Sequence, residues 1–222
     1  MAFLSEKDAK IVGEKLGSLP KPVTLAVFTQ ELECDYCKET RELVEELAGL
    51  SRGKLAVEVY DFVRDEAKAQ ALGIDKIPAI AVLGGSGEDH RIRFFGIPAG
   101  YEFASLLEAI DMMAKGDSGL TPASKEKLKG LTSSVNLQVF VTPTCPYCPR
   151  AVVTAFRMAM ESPLVTASMV EATEFPHLST RYQVSGVPHT VIGESPQPMV
   201  GAYPEAAAID MVLAATQGMR VS

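Results

Sequence analysis

The residues of this chain best suited to chemistry are its four cysteines, which all fall into two Cys-x-x-Cys pairs. The first pair is Cys34 and Cys37, and the second is Cys145 and Cys148. Thiols at this spacing either exchange electrons with disulfides or bind a metal ion, so a zinc site made of all four cysteines is an open alternative. In a reducing compartment such pairs are seldom structural disulfides, and redox chemistry is therefore the first prediction.

The position of each pair favours the redox interpretation. Each pair follows a short apolar run typical of a buried strand and precedes a helical pattern, over residues 38–50 and 150–161. The N-terminus of a helix favours the thiolate that attacks disulfides. We therefore expect the first cysteine of each pair to be the nucleophile and the second, one turn further on, to be the resolving thiol. Because Pro146 and Pro149 would break a helix interior, the second helix is predicted to begin at about Cys145.

The two pairs belong to an internal repeat. From Cys34 to Cys145 the offset is 145 − 34 = 111 residues, and from Pro78 to Pro188 it is 188 − 78 = 110 residues. Further on, the segment that ends at Gly96 matches the segment that ends at Gly201. Three matched features in the same order indicate a duplicated unit.

Both units show the same predicted order of elements. A leading helix is followed by strand, cysteine pair, helix, strand, short helix, X-Pro strand, strand and helix, which predicts an α/β fold with two tandem units, each a mixed central sheet flanked by helices. The turn-like residues 116–119 separate the units, so we predict domains over residues 1–117 and 118–222. The predicted strands are 23–29, 55–62, 78–83, 92–95, 135–141, 164–171, 188–192 and 198–200, and the outer helices are 6–17, 101–115, 122–131 and 204–217.

The two pairs differ in their charged surroundings. The first contains Asp35 and has further acids around it, whereas residues 142–150 hold no acid and end on Arg150. Positive charge favours a thiolate and negative charge disfavours it. We therefore expect Cys145 to have the lower pKa, with Asp35, Arg150 and His189, the residue after Pro188, as candidate residues that tune the thiols.

Composition excludes several functions. The formal charge of −7 argues against nucleic-acid binding, which needs a basic face. No apolar run reaches the roughly 18 residues that span a bilayer, so membrane insertion is not expected. The first residues lack the basic and apolar regions of a secretory signal, and we expect a cytoplasmic location.

The motifs resemble a known family. The tetrapeptide from Cys145 to Cys148 is similar to the glutaredoxin active site, and two thioredoxin-like units with a Cys-x-x-Cys pair in each resemble the protein disulfide oxidoreductases of thermophilic archaea and bacteria, also called glutaredoxin-like proteins. The resemblance implies cis peptide bonds at Ile77–Pro78 and Val187–Pro188, in loops that bind substrate. It also implies reduction, formation or isomerisation of protein disulfides, with no cofactor beyond the redox disulfides and with electrons from a thioredoxin-reductase-type flavoprotein.

Two departures and one further resemblance widen the range of functions. Val27 and Val139 stand where thioredoxins carry a buried acid, so the acid that assists the resolving cysteines is not identified. The double unit also resembles the N-terminal module of alkyl hydroperoxide reductase flavoproteins, which implies a dedicated electron donor to a peroxiredoxin. The alternative from another class is a scaffold for protein interactions in which the four cysteines bind zinc.

Overall fold

The computed structural model of the protein describes residues 3–218, which form one mixed eight-stranded sheet with helices on both faces. The strands are β1 Val23–Thr29, β2 Leu55–Asp61, β3 Ala79–Gly84, β4 Asp89–Phe95, β5 Val135–Val141, β6 Val165–Glu171, β7 His189–Ile192 and β8 Met199–Val200. The helices are α1 Glu6–Gly17, α2 Cys37–Leu50, α3 Glu66–Ala71, α4 Glu102–Lys115, α5 Pro122–Leu128, α6 Cys148–Glu161, α7 Pro176–Arg181 and α8 Glu205–Gly218.

The two halves of the described chain, residues 3–117 and 118–218, repeat one strand pattern. In the first half β1 pairs in parallel with β2 and antiparallel with β3, and β3 pairs antiparallel with β4. In the second half β5 pairs in parallel with β6 and antiparallel with β7, which pairs antiparallel with β8. The predicted α/β class and the mixed sheets are confirmed.

The sheet continues without interruption from one half to the other. Residues 92–95 of β4 pair in parallel with residues 167–170 of β6, which gives the strand order β2-β1-β3-β4-β6-β5-β7-β8. Arg91 strengthens this seam, because its guanidinium donates hydrogen bonds to the carbonyls of Val165 at 3.0 Å, Ser162 at 3.1 Å and Ala159 at 3.3 Å. The central strands β1, β4, β6 and β5 all run in the same direction.

Each face of the sheet has its own core. Leu25 and Val27 of β1 point to the face that α2, α4 and α6 cover, whereas Ala26 and Phe28 point to the face that α3 and α7 cover. This alternation explains why β1 reads as a continuous apolar run. No described helix is long and apolar enough to cross a bilayer.

Two helix boundaries differ from prediction by three residues, and β4 begins at Asp89 instead of residue 92. Helix α6 begins at Cys148 instead of at about Cys145, because the residues before it form a turn. A proline fits such a turn as readily as it fits the first turn of a helix. Helix α5 ends at Leu128 instead of residue 131, since the next amides bond to carbonyls three residues back, as from Gly130 to Lys127.

Two candidate redox sites at one end of the sheet

Both cysteine pairs lie at the same end of the sheet. Each pair follows the C-terminal end of a central strand, β1 or β5, and these strands run in the same direction. The loops that carry Pro78 and Pro188 reach this end too, since they precede the antiparallel strands β3 and β7. The fold thus brings the residues of each predicted site together and places both sites on one surface.

The first site holds Cys34 and Cys37 in a disulfide, with their Cα atoms 5.5 Å apart. Cys37 is the first residue of α2 and is buried, whereas Cys34 lies in the loop before the helix and is half-buried. Its neighbour Tyr36 has 45% of its surface exposed. The cysteine closer to solvent is therefore the one that the sequence predicts to be the nucleophile.

The second site has the same geometry but is more enclosed. Cys145 and Cys148 form a disulfide with their Cα atoms 5.5 Å apart, and they are 8% and 0% exposed. The backbone N–H of Cys145 donates to the carbonyl of Thr142 at 3.1 Å, which closes the loop between β5 and α6. Tyr147, between the two cysteines, is 71% exposed.

The proline loops have the implied conformation. The peptide bonds Ile77–Pro78 and Val187–Pro188 are both cis. The carbonyl of Pro78 accepts a hydrogen bond from Gly96 at 2.9 Å, and the carbonyl of Pro188 accepts one from Gly201 at 2.8 Å. The same strand-to-strand contact thus supports the loop at each site.

The three candidate tuning residues occupy different surroundings. Asp35 and Arg150 are exposed, so solvent and salt screen their effect on the thiols. His189 is 3% exposed and both of its ring nitrogens lack a hydrogen-bond partner among the described residues. Burial lowers the pKa of His189, and its ring lies edge-on to that of Phe140. His189 is therefore a buried side chain next to Pro188, and its burial favours the neutral ring.

A buried acid, Glu102, lies close to the loop of the second site. Glu102 is 1% exposed, its Oε2 accepts a hydrogen bond from Ser105 at 2.6 Å, and its Oε1 has no partner among the described residues. Burial raises the pKa of Glu102 to about 7. The preceding residue, Tyr101, donates its N–H to the carbonyl of Pro143 at 3.0 Å, two residues before Cys145. Sequence analysis missed this acid, although it falls on the buried stripe of α4 that continues at Leu106.

A half-buried acid, Glu174, reaches from the second half toward the first site. Its Oε1 accepts a hydrogen bond from the N–H of Ile97 at 2.7 Å, and its Oε2 is buried without a partner among the described residues. Burial, together with the negative charges of Glu171 and Asp35, raises the pKa of Glu174 to about 7. No periodic pattern surrounds Glu174 in the sequence, so the neighbouring residues do not indicate that this side chain is partly enclosed.

The arrangement does not resemble a zinc site. Each cysteine pair is closed in its own disulfide, so the four sulfurs are not gathered around one point. Among residues 3–218 no group of three or more His, Cys, Asp or Glu side chains could hold a metal ion.

Sequence comparison relates the chain to thioredoxin-like proteins. The family model of a thioredoxin domain matches residues 135–214. The F subunit of alkyl hydroperoxide reductase in Staphylococcus epidermidis is 30% identical over 145 residues, which cover 64% of this chain and 25% of that protein. The chain therefore spans about a quarter of the length of such curated relatives.

Solved structures match nearly the whole chain. The NTD_N/C domain of alkylhydroperoxide reductase AhpF from Enterococcus faecalis has a TM-score of 0.86 and 27% identity, and the match covers 95% of this chain and 100% of that one. A protein disulfide oxidoreductase from Aeropyrum pernix has a TM-score of 0.88 and 33% identity, with 98% of this chain and 96% of that one covered. Together with the two Cys-x-x-Cys sites, this similarity over both full chains shows that the protein belongs to the family of protein disulfide oxidoreductases with two thioredoxin-like halves.

Proposed function

We propose that the protein is an enzyme that reduces, forms or isomerises disulfides of other proteins through its two dithiol sites. One observation carries this function: the chain builds the same arrangement twice, a cysteine pair at a helix start with a cis-proline loop at the same end of the sheet. In this proposal the loops Ile77–Pro78 and Val187–Pro188 bind the backbone of the substrate next to the attacking sulfur.

The chemistry is two successive thiol–disulfide exchanges. In the reducing direction, the thiolate of Cys34 or Cys145 attacks a substrate disulfide, a mixed disulfide forms, and the first substrate sulfur leaves and takes up a proton. The thiolate of Cys37 or Cys148 then attacks the mixed disulfide, which closes the internal disulfide and releases the second substrate thiol. Two electrons pass to the substrate, and an external dithiol has to return them to the protein.

Glu102 is the proposed proton acceptor of the second site. The resolving thiol has to lose its proton before it can attack, and a carboxyl group with a pKa near 7 exchanges protons readily at neutral pH. Two features support this role, namely the raised pKa of Glu102 and its place beside the loop that leads to Cys145. At the second site, Glu102 would take the role of the buried acid that thioredoxins carry at the position of Val139.

The proposed partners follow from this cycle. Protein disulfides are the substrates, a thioredoxin-reductase-type flavoprotein supplies electrons, and no cofactor beyond the two disulfides is needed. We propose a cytoplasmic location, because a reducing compartment keeps such dithiols available. Residues 1–117 and 118–222 are the two proposed domains, each with one site.

A second function is a dedicated electron donor to a peroxiredoxin. The observation that favours it is the similarity of nearly the whole chain to the NTD_N/C domain of the Enterococcus faecalis reductase. This function uses the same exchanges but a different final acceptor. Peroxide consumption with a purified peroxiredoxin, compared with insulin reduction at equal enzyme concentration, separates the two functions.

Insulin reduction by single-site variants tests the main proposal. Cys34→Ser and Cys145→Ser proteins are compared with the unchanged protein, first with dithiothreitol and then with a thioredoxin reductase as the electron source. We expect both variants to retain part of the activity with dithiothreitol, and one of them to lose it only with the reductase. That variant identifies the site at which electrons enter. No activity of the unchanged protein with either reductant would refute the function.

A further inference from the structure

One short segment connects the surroundings of both redox sites. Residues 96–101, which we call the bridging segment, join β4 to α4. At its start, Gly96 bonds to the carbonyl of Pro78 beside the first site, and at its end Tyr101 bonds to the carbonyl of Pro143 beside the second site. The bridging segment belongs to the first half of the chain and lies against the second half.

Glu174 binds the start of this segment. Its Oε1 accepts the hydrogen bond of the Ile97 N–H, one residue after the contact with Pro78. A Cβ atom on Gly96 would lie 2.6 Å from Cβ of Glu171 and 2.8 Å from Oε1 of Glu174, so only glycine allows this close approach. The carboxyl group of Glu174 is thus fixed beside the backbone that faces the cis-proline loop of the first site.

The carboxyl group is also influenced by the charge of the first site. The charged groups that act on it are Glu171, from its own turn, and Asp35, which lies between Cys34 and Cys37. Both are acids, and Oε2 has no hydrogen-bond donor among the described residues. Glu174 binds Ile97, and the adjacent Gly96 bonds to the cis-proline loop of the first site, so the carboxyl group lies on the side of that site where its charge can act on the thiols.

We propose that Glu174, a residue of the second half, is a positioning residue of the first redox site: it fixes the bridging segment opposite Pro78, and its charge opposes the thiolate of Cys34. This inference rests on the proposed thiol–disulfide function. It means that the first site needs the second half of the chain to set its reactivity. When Glu174 is ionised, the thiolate of Cys34 is less favourable and the site donates electrons more readily, since reduced forms with unstable thiolates are stronger reductants.

The test measures the thiolate of Cys34 directly. A protein that keeps Cys34 as its single cysteine, through Cys37→Ser, Cys145→Ser and Cys148→Ser, is alkylated with iodoacetamide across pH 5–9, with and without Glu174→Gln. Glutamine preserves an acceptor for the Ile97 N–H and removes the charge. The matched control is Glu194→Gln, which removes one exposed acid of the second half at the opposite end of the sheet.

We expect Glu174→Gln to raise the alkylation rate of Cys34 near pH 7 by about threefold, the effect of one charge acting through a surface dielectric. Glu194→Gln should leave the rate unchanged. The corresponding protein that keeps only Cys145 should respond to neither substitution, which also shows that the variants are folded. Equal rates for Cys34 with Glu174→Gln and Glu194→Gln would overturn the proposal.

A second measurement does not depend on a substitution at Glu174. In the protein with Cys145→Ser and Cys148→Ser, the carboxyl group of Glu174 is titrated by carbon NMR in the oxidised and reduced states. Reciprocity requires its midpoint to rise when the thiolate of Cys34 forms, and an identical midpoint in both states would refute the coupling. If the coupling is absent but the protein reduces insulin, the proposed function stands and only the role of Glu174 is refuted. If the unchanged protein does not reduce insulin, the proposed function is refuted and the coupling is not.

Discussion

At the scale of single residues, two carboxyl groups, the buried Glu102 and the half-buried Glu174, are the main feature that the cysteine motifs do not indicate. Glu102 and Glu174 each have one oxygen without a partner among the described residues, and both have a pKa raised to about 7. Glu102 belongs to the first half and lies close to the loop of the second site, whereas Glu174 belongs to the second half and lies close to the proline loop of the first site. An ionised carboxylate in such surroundings costs stability, which is tolerated where a proton has to be exchanged near neutral pH.

The pH dependence of stability tests the state of Glu102. Its pKa is raised from 4.5 in the unfolded chain to about 7 in the folded protein, so it favours folding below pH 4.5 and this contribution is lost as pH rises through 7. The unfolding free energy of Glu102→Gln minus that of the unchanged protein should therefore be larger at pH 8.5 than at pH 5. The increase should be on the order of 1–3 kcal/mol. Urea unfolding at both pH values measures this, and a difference that does not change with pH would contradict it.

The two predicted nucleophiles, Cys34 and Cys145, should differ in reactivity. Arg150 follows the second pair and no acid lies within residues 142–150, whereas Asp35 adds negative charge between Cys34 and Cys37. The greater burial of Cys145 acts in the opposite direction, because burial disfavours a thiolate. We expect the charges and the start of α6 to prevail, so that at pH 6 iodoacetamide modifies Cys145 in a Cys148→Ser protein faster than Cys34 in a Cys37→Ser protein. Faster modification of Cys34 would reverse the assignment.

At the scale of elements, the repeat explains what the sequence could predict. Strands β1 and β5 have the predicted bounds, because short apolar runs rich in β-branched residues are a strong local signal. Helix α6 begins three residues after the predicted start, because Pro146 is equally compatible with a turn. The pairing of β4 with β6 could not be predicted, because it joins residues more than seventy positions apart and no sequence feature of either strand indicates it.

The bridging segment depends on two glycines, of which the internal repeat indicates Gly96 and nothing in the sequence indicates Gly100. Gly96 has φ 89°, and Gly100 has φ 59° with its Cα facing the carbonyl group of Pro143. A side chain at either position would meet the second half of the chain. Gly87 has φ 90° but open space around it, and is therefore a matched control.

Alanine at these glycines separates backbone strain from close packing. Gly87→Ala should cost about 1 kcal/mol of unfolding free energy, the strain of a positive φ alone. Gly96→Ala adds the clash with Glu171 and Glu174, and should cost about 2–4 kcal/mol. Chemical denaturation measures both variants. If Gly96→Ala costs no more than Gly87→Ala, the approach of the two halves at this point is looser than the structure indicates.

At the scale of the whole molecule, the continuous sheet leads us to expect that the two halves unfold together. The seam consists of the β4–β6 pairing, the packing of α4 against α6, and the hydrogen bonds of Arg91. Separation of the halves would expose the edges of two central strands and the buried sides of both helices. The free energy of that exposure couples the unfolding of one half to that of the other.

Calorimetry of the unchanged protein should therefore show a single transition, with a calorimetric enthalpy close to the van't Hoff enthalpy. Arg91→Ala removes the donor to three carbonyl groups where α6 ends and β6 begins, so we expect a loss of about 2–4 kcal/mol. Arg64→Ala, at an exposed position after β2, is the control and should change stability little. Equal stability of the two variants would mean that the Arg91 hydrogen bonds add nothing to the seam, and two separate transitions in the unchanged protein would mean that each half folds on its own. In that case the influence of Glu174 on the first site would be confined to the docked state, because only the seam holds its carboxyl group against Ile97.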